Sequence, residues 1–121
     1  MNYKTKSIRP FIGSKDFNLS RNFYRDLGFE EIILGHNMSV FQKEGLSFYL
    51  QDYYLKDWID NSMIFLEVDD VNSFWKELSE LQLPTKYKEV KILPIKTLDW
   101  GKECFIIDPS GILWHVGEFN K

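Results

Sequence analysis

Apolar positions along the chain fall into two alternating patterns, short runs and four-residue spacings. After a polar arm, Ile8 to Gly13 has the composition of a short strand. Asp16 or Asn18 then offers a helix cap, because a short oxygen-bearing side chain accepts the helix's unpaired first amides. Leu19, Phe23 and Leu27 follow at four-residue spacing as one apolar stripe, and Gly28 stands where the helix should end. Strands are predicted at Glu30 to Leu34, Met38 to Gln42 and Leu46 to Gln51, punctuated by His36-Asn37 and Lys43-Glu44-Gly45. The polar segment 52–61 reads as a connector, although it carries Tyr53, Tyr54 and Trp58.

The pattern then restarts. Ser62 to Val68 is apolar enough for a strand buried on both faces. Asp70 is placed to cap a second helix with Val71, Phe74, Leu78 and Leu81 on one face, which Pro84 should stop. Strands are expected at Val90 to Thr97, Cys104 to Ile107 and Ile112 to Phe119, the last two joined by a turn at Asp108-Pro109-Ser110-Gly111. Both helices open on an Asp-x-Asn triplet, Asp16-Phe17-Asn18 and Asp70-Val71-Asn72. The element order is therefore βαβββ, repeated once. Such a unit leaves a sheet face bare, so two must pair to close a core. The expected fold is α+β in one domain, 1–121, with modules at 7–51 and 62–119 around the connector 52–61.

Composition narrows the function. The aromatic share is 17%, with Phe 10, Tyr 6 and Trp 4, enough for rings to line a cleft or an interface as well as a core. A formal charge of −3 argues against nucleic acid as the main partner. The lone Cys104 leaves no internal disulfide to form and fits a reducing, cytoplasmic setting. No apolar run has the length of a membrane span. Neither GxGxxG nor GxxxxGK[ST] occurs, and Lys86, Lys88, Lys91 and Lys96 suit a charged edge strand.

Three stretches, DFNLSRNFYRDLGF from Asp16, FLEVDDVNSFW from Phe65 and WGKECFIIDPSGILWHV from Trp100, resemble in order the motifs of the vicinal-oxygen-chelate superfamily, which includes glyoxalase I, extradiol dioxygenases and bleomycin-resistance proteins. The likeness is greatest to the bleomycin-resistance branch, with Ile112 departing from its usual Asn. That resemblance implies two tandem βαβββ modules forming a curved mixed sheet around a cleft with helices outside. It also implies a homodimer holding a cationic glycopeptide antibiotic between subunits, without altering it. The metal-using relatives place one ligand on each of four strands. Carried over, those positions fall on Arg9, on one residue within Phe48 to Gln51, on Met63 and on His115. A guanidinium repels a metal ion and a thioether suits hard or borderline metals poorly, so no metal or other cofactor is expected.

By strand alternation Arg9, Phe11, Met63, Phe65, Leu113 and His115 should face the cleft, while Ile12, Ile64, Leu66, Trp114 and Val116 face the helices. By the family's pattern Phe41 and Asp99-Trp100 add cleft walls, with Tyr49, Asp52 and Trp58 as further candidates and Glu67 at the rim. The expected ligand-binding set is thus Arg9, Phe41, Tyr49, Trp58, Met63, Phe65, Trp100 and His115, with no catalytic residue assigned. The function implied is metal-independent sequestration of a bleomycin-like or other aromatic or cationic small molecule. The alternative is a glyoxalase-like or other metal-dependent enzyme of the superfamily, or one using His115 as a base.

Overall fold

The helix of each module is capped by an aspartate. The computed structural model describes residues 1–121. Asp16 accepts the Leu19 amide at the head of α1 (Phe17–Asp26), and Asp70 accepts the Asn72 and Ser73 amides at the head of α3 (Val71–Glu80). α1 ends in paired bonds from the Gly28 amide to the Arg25 carbonyl and from the Phe29 amide to the Tyr24 carbonyl. Those bonds use the helix's orphan carbonyls and lay Phe29 against Tyr24. The stripe that α1 buries is Phe17, Ser20, Phe23 and Tyr24. Leu19 is instead 37% exposed, since the core lies one position round from the predicted face.

The strands form two four-stranded sheets. In the first, β1 (Phe11–Gly13) runs parallel to β4 (Leu46–Gln51), followed by β3 (Met38–Lys43) and β2 (Glu30–Gly35). In the second, β5 (Met63–Glu67) runs parallel to β8 (Leu113–Phe119), followed by β7 (Gly101–Ile107) and β6 (Lys91–Leu98). The two orders are the same, so the βαβββ unit occurs twice. β1 starts three residues later than predicted: Pro10 has no amide to donate, and only its carbonyl joins the ladder, through the Tyr49 amide. Inside the segment 52–61, Lys56–Asp60 forms a one-turn helix, α2, that buries Ile59. Pro84 does not stop α3. The chain turns at Gln82, whose φ is +55°, and Pro84 enters the short helix α4 (Leu83–Lys86) in its first turn, where a missing amide costs nothing.

The two modules share one core. Trp114 of β8 packs against Tyr24, Phe29 and Phe48 of the first module. The Trp114 indole N–H donates to the Tyr24 hydroxyl at 2.9 Å, and that hydroxyl donates to Asp108 Oδ2 at 2.6 Å. Asp108 Oδ1 accepts the Ser110, Gly111 and Ile112 amides and so shapes the β7–β8 turn. Burial pushes the Asp108 carboxyl above the usual carboxylate range despite these four donors. Burial, then the neighbouring Asp108, holds the Tyr24 phenol well above its ordinary value. Of the row predicted to face the helices, Ile12, Trp114 and Val116 are buried and Ile64 and Leu66 half-buried, and Ile106 joins them. β5, expected to be buried on both faces, is not: Met63, Phe65 and Glu67 are exposed while Ile64 and Leu66 are half-buried. Each sheet thus keeps one open face.

Candidate functional site

The open face of the second sheet is built from cross-strand neighbours. Phe65, His115 and Phe105 lie in register on β5, β8 and β7, so their side chains leave the sheet together. The His115 ring is stacked on Phe65 at 6.4 Å and edge-on to Phe105 at 5.0 Å. Trp100 and Phe119 extend the patch, 5.2 Å apart and each under 6 Å from Phe65. Gly117 makes this packing possible, because a Cβ there would meet the Phe65 ring at 3.1 Å and Glu103 at 3.3 Å. Glu103, only 8% exposed, takes a hydrogen bond from His115 Nδ1 at 2.8 Å. Glu67 shares this face, in register with Gly117.

The open face of the first sheet repeats the arrangement with other chemistry. Phe11 stacks on Tyr49 at 4.4 Å and 15°. Arg9 donates to the Tyr49 hydroxyl at 3.4 Å, and its guanidinium carbon lies 5.8 Å from that ring's centre. Arg9 makes no ion pair, so this face is cationic where the other carries the acids Glu103 and Glu67. Trp58 lies against Gly13, where a Cβ would come within 2.6 Å of its ring, and so closes the Gly13 end of β1 beside Tyr53. A cleft of about 390 Å³ runs between Ile8 and Pro10 of the arm, Leu46 of β4 and Phe65 of β5. Another, of about 330 Å³ and lined by Leu27, Phe29, Leu66 and Phe74, lies on the helix side, away from His115.

Of the predicted binding residues, Phe65, Trp100 and His115 come together on the second sheet, with Met63 two positions before Phe65 on β5; Arg9 and Tyr49 meet on the first, and Trp58 packs at Gly13 beside Tyr53. Phe41 does not belong to either group. It is fully buried, paired with Phe48 and packed on Tyr24, because the β3–β4 register turns it to the helices and leaves Val40 on the open side. Three further residues of the second face, Glu103, Phe105 and Phe119, escaped the sequence reading. Starting β7 at Cys104 left Glu103 outside the strand; the strand begins at Gly101, which gives Glu103 the same parity as Phe105.

The donor position left open within Phe48 to Gln51 is fixed by register. Phe11 pairs with Tyr49 as Phe65 pairs with His115, so Tyr49 is the counterpart of His115. The set is then Arg9, Tyr49, Met63 and His115: a guanidinium on its phenol, a thioether and one imidazole already bonded to a carboxylate. This set does not fit a divalent ion. No group of three or more His, Cys, Asp and Glu side chains converges elsewhere.

No protein-family model matches the sequence, and no curated protein sequence matches it. Solved structures do match in shape. A bleomycin resistance determinant encoded on the transposon Tn5 superposes with a TM-score of 0.81 at 21% identity, over 97% of this chain and 100% of that one. The bleomycin-binding protein from bleomycin-producing Streptomyces verticillus, complexed with copper(II)-bleomycin, gives 0.81 at 18% identity, over 98% and 100%. The lactoylglutathione lyase from Agrobacterium tumefaciens gives 0.71 at 18% identity, over 95% of each.

This chain has the vicinal-oxygen-chelate fold. Within that fold its two βαβββ modules stand back to back on a common core, and both open faces point away from it. One chain therefore displays two open sheet faces of opposite charge, Arg9 on the first and Glu103 and Glu67 on the second. No helix is long and apolar enough to cross a membrane.

Proposed function

We propose that this protein binds and sequesters a planar aromatic, cationic small molecule of the bleomycin type, without metal and without chemical change to its guest. The observation that carries the reading is the open ring cluster Phe65, Trp100, Phe105, His115 and Phe119, backed by the carboxylates Glu103 and Glu67. Flat rings stack on planar groups, and ring faces and carboxylates together favour cations. A metal-dependent reaction of the glyoxalase kind would need donors that Arg9, Tyr49 and Met63 do not supply. Shape likeness to proteins that bind bleomycin supports the same reading.

We propose further that the working form is a homodimer. Phe11 at 48% exposure, Met63 at 65%, Phe65 at 44% and Phe119 at 51% leave an apolar surface on each sheet of one copy. A cationic face on one copy set against an acidic face on the other would cover both. The lone thiol of Cys104 is consistent with action in the cytoplasm.

Titrating chelator-treated protein with bleomycin while following tryptophan fluorescence tests the reading. Saturable quenching is expected, carried by Trp100 and lost in Trp100→Phe. A flat trace at tens of micromolar would remove bleomycin as the guest. Sedimentation equilibrium showing only monomer at that concentration would remove the shared cleft.

A further inference from the structure

The pairing of His115 with Glu103 decides which edge of the imidazole meets a guest. A carboxylate only accepts hydrogen bonds, so at 2.8 Å the proton between them belongs to His115 Nδ1. A neutral imidazole then carries its lone pair on Nε2. Nε2 bonds to nothing in the protein, and the structure contains no buried side-chain polar atom without a partner, so Nε2 is open to solvent. The ring is held in this pose by Phe65 on one side and Phe105 on the other. Glu103 has no competing ion pair. The nearest cation on the neighbouring strand, Lys96, has its ammonium over Phe105 at 6.0 Å rather than on Glu103.

We propose that the Glu103–His115 pair is a directional hydrogen-bond acceptor, in which Glu103 is a positioning residue and His115 Nε2 receives an N–H or O–H of the guest. The proposal rests on the second sheet's open face being the binding surface and adds what that surface selects. The preferred guest stacks on the rings and carries a donor at its edge. An aromatic carboxylate is disfavoured, since it would place its charge against Glu103 and Glu67.

Two measurements test this. In protein labelled with ¹⁵N-histidine, at a pH above the imidazole titration, nitrogen shifts of His115 are expected to report a protonated Nδ1 and a bare Nε2; Glu103→Ala should reduce that tautomer's share. A dominant Nε2–H form in the wild type overturns the proposal whatever the protein binds. Benzimidazole and 1-methylbenzimidazole, which differ in the donor, are then titrated against the same resonances. Benzimidazole should move Nε2 and, by titration calorimetry, bind roughly tenfold more tightly, the size of one good hydrogen bond, and His115→Phe should erase that calorimetric difference. Equal affinity removes the acceptor role and leaves the binding reading intact. No shift of the His115 nitrogens with either compound overturns the acceptor role, and a flat bleomycin titration separately overturns the binding reading.

Discussion

Replacing Tyr24 by Phe removes one oxygen from the interior and strands two partners. The hydroxyl is the only acceptor for Trp114 Nε1 and the only donor to Asp108 Oδ2, and all three residues are at most 2% exposed. Each buried polar atom left alone costs about 1–3 kcal/mol, more for a charged one, and the lost desolvation of the hydroxyl itself offsets part of this. The expected loss is about 3 kcal/mol, or a fall in Tm of roughly 10 °C for a chain of this length. Urea unfolding followed by tryptophan fluorescence measures it. The pH dependence has a definite sign. Burial already raises Asp108, and the Tyr24 hydroxyl is the first of the groups pulling it back down. Its removal raises the folded value further, so the folded variant binds a proton that its unfolded form does not. Stability then rises as pH falls, and the gap to the wild type narrows between neutral pH and about pH 4. A loss below about 1 kcal/mol at pH 7, or a gap that widens on acidification, would refute the idea that this relay ties the modules together.

Glu31 is held by Arg21 at 2.6 Å, by Arg25 and by the Ser39 hydroxyl at 2.6 Å. Burial raises its carboxyl, but these partners outweigh it and hold it below its ordinary value. Its stabilisation is present above the unfolded value near pH 4 and lost as pH falls through the folded one, so Glu31→Gln should weaken the fold at pH 7 by about 1–2 kcal/mol and match the wild type in strong acid. An equal deficit at both pH values in parallel urea titrations would contradict this. Gly13→Ala places a Cβ 2.4 Å from the Tyr53 carbonyl and 2.6 Å from the Trp58 ring. It should cost about 1–3 kcal/mol and shift Trp58 emission; unchanged stability and emission would show that Trp58 is not seated there. Burial pushes the Cys104 thiol up to about 11, so the folded protein should resist a thiol-titrating disulfide reagent at pH 8 and react at once in denaturant. Reaction of the native protein within minutes would count against the described core.

Local signals were legible and register was not. Asp16 and Asp70 announce their helices because a cap is a contact across three residues. Trp114 and His115 separate cleanly because β8 alternates as a strand with one dry face should. Val40 and Phe41 do not alternate: both are apolar and both are buried, at 4% and 0%, so only the pairing with Phe48 and Tyr49 assigns their faces. Tyr49 became the counterpart of His115 by the same kind of information, a parallel pairing between residues distant in sequence. Glu103 was hidden by a boundary error of three residues, and its role depends on a partner on the next strand.

The strict division of β8, with Trp114 and Val116 turned inward and Leu113 and His115 outward, has an evolutionary reading. On the proposed function, folding and recognition are written on alternate letters of one strand. If the open face binds as proposed, the outward positions 105 and 113 can change with the guest while the inward residues beside them go on specifying the same architecture. A scaffold organised in that way would let its guest change by substitution on one face while the other goes on holding the core.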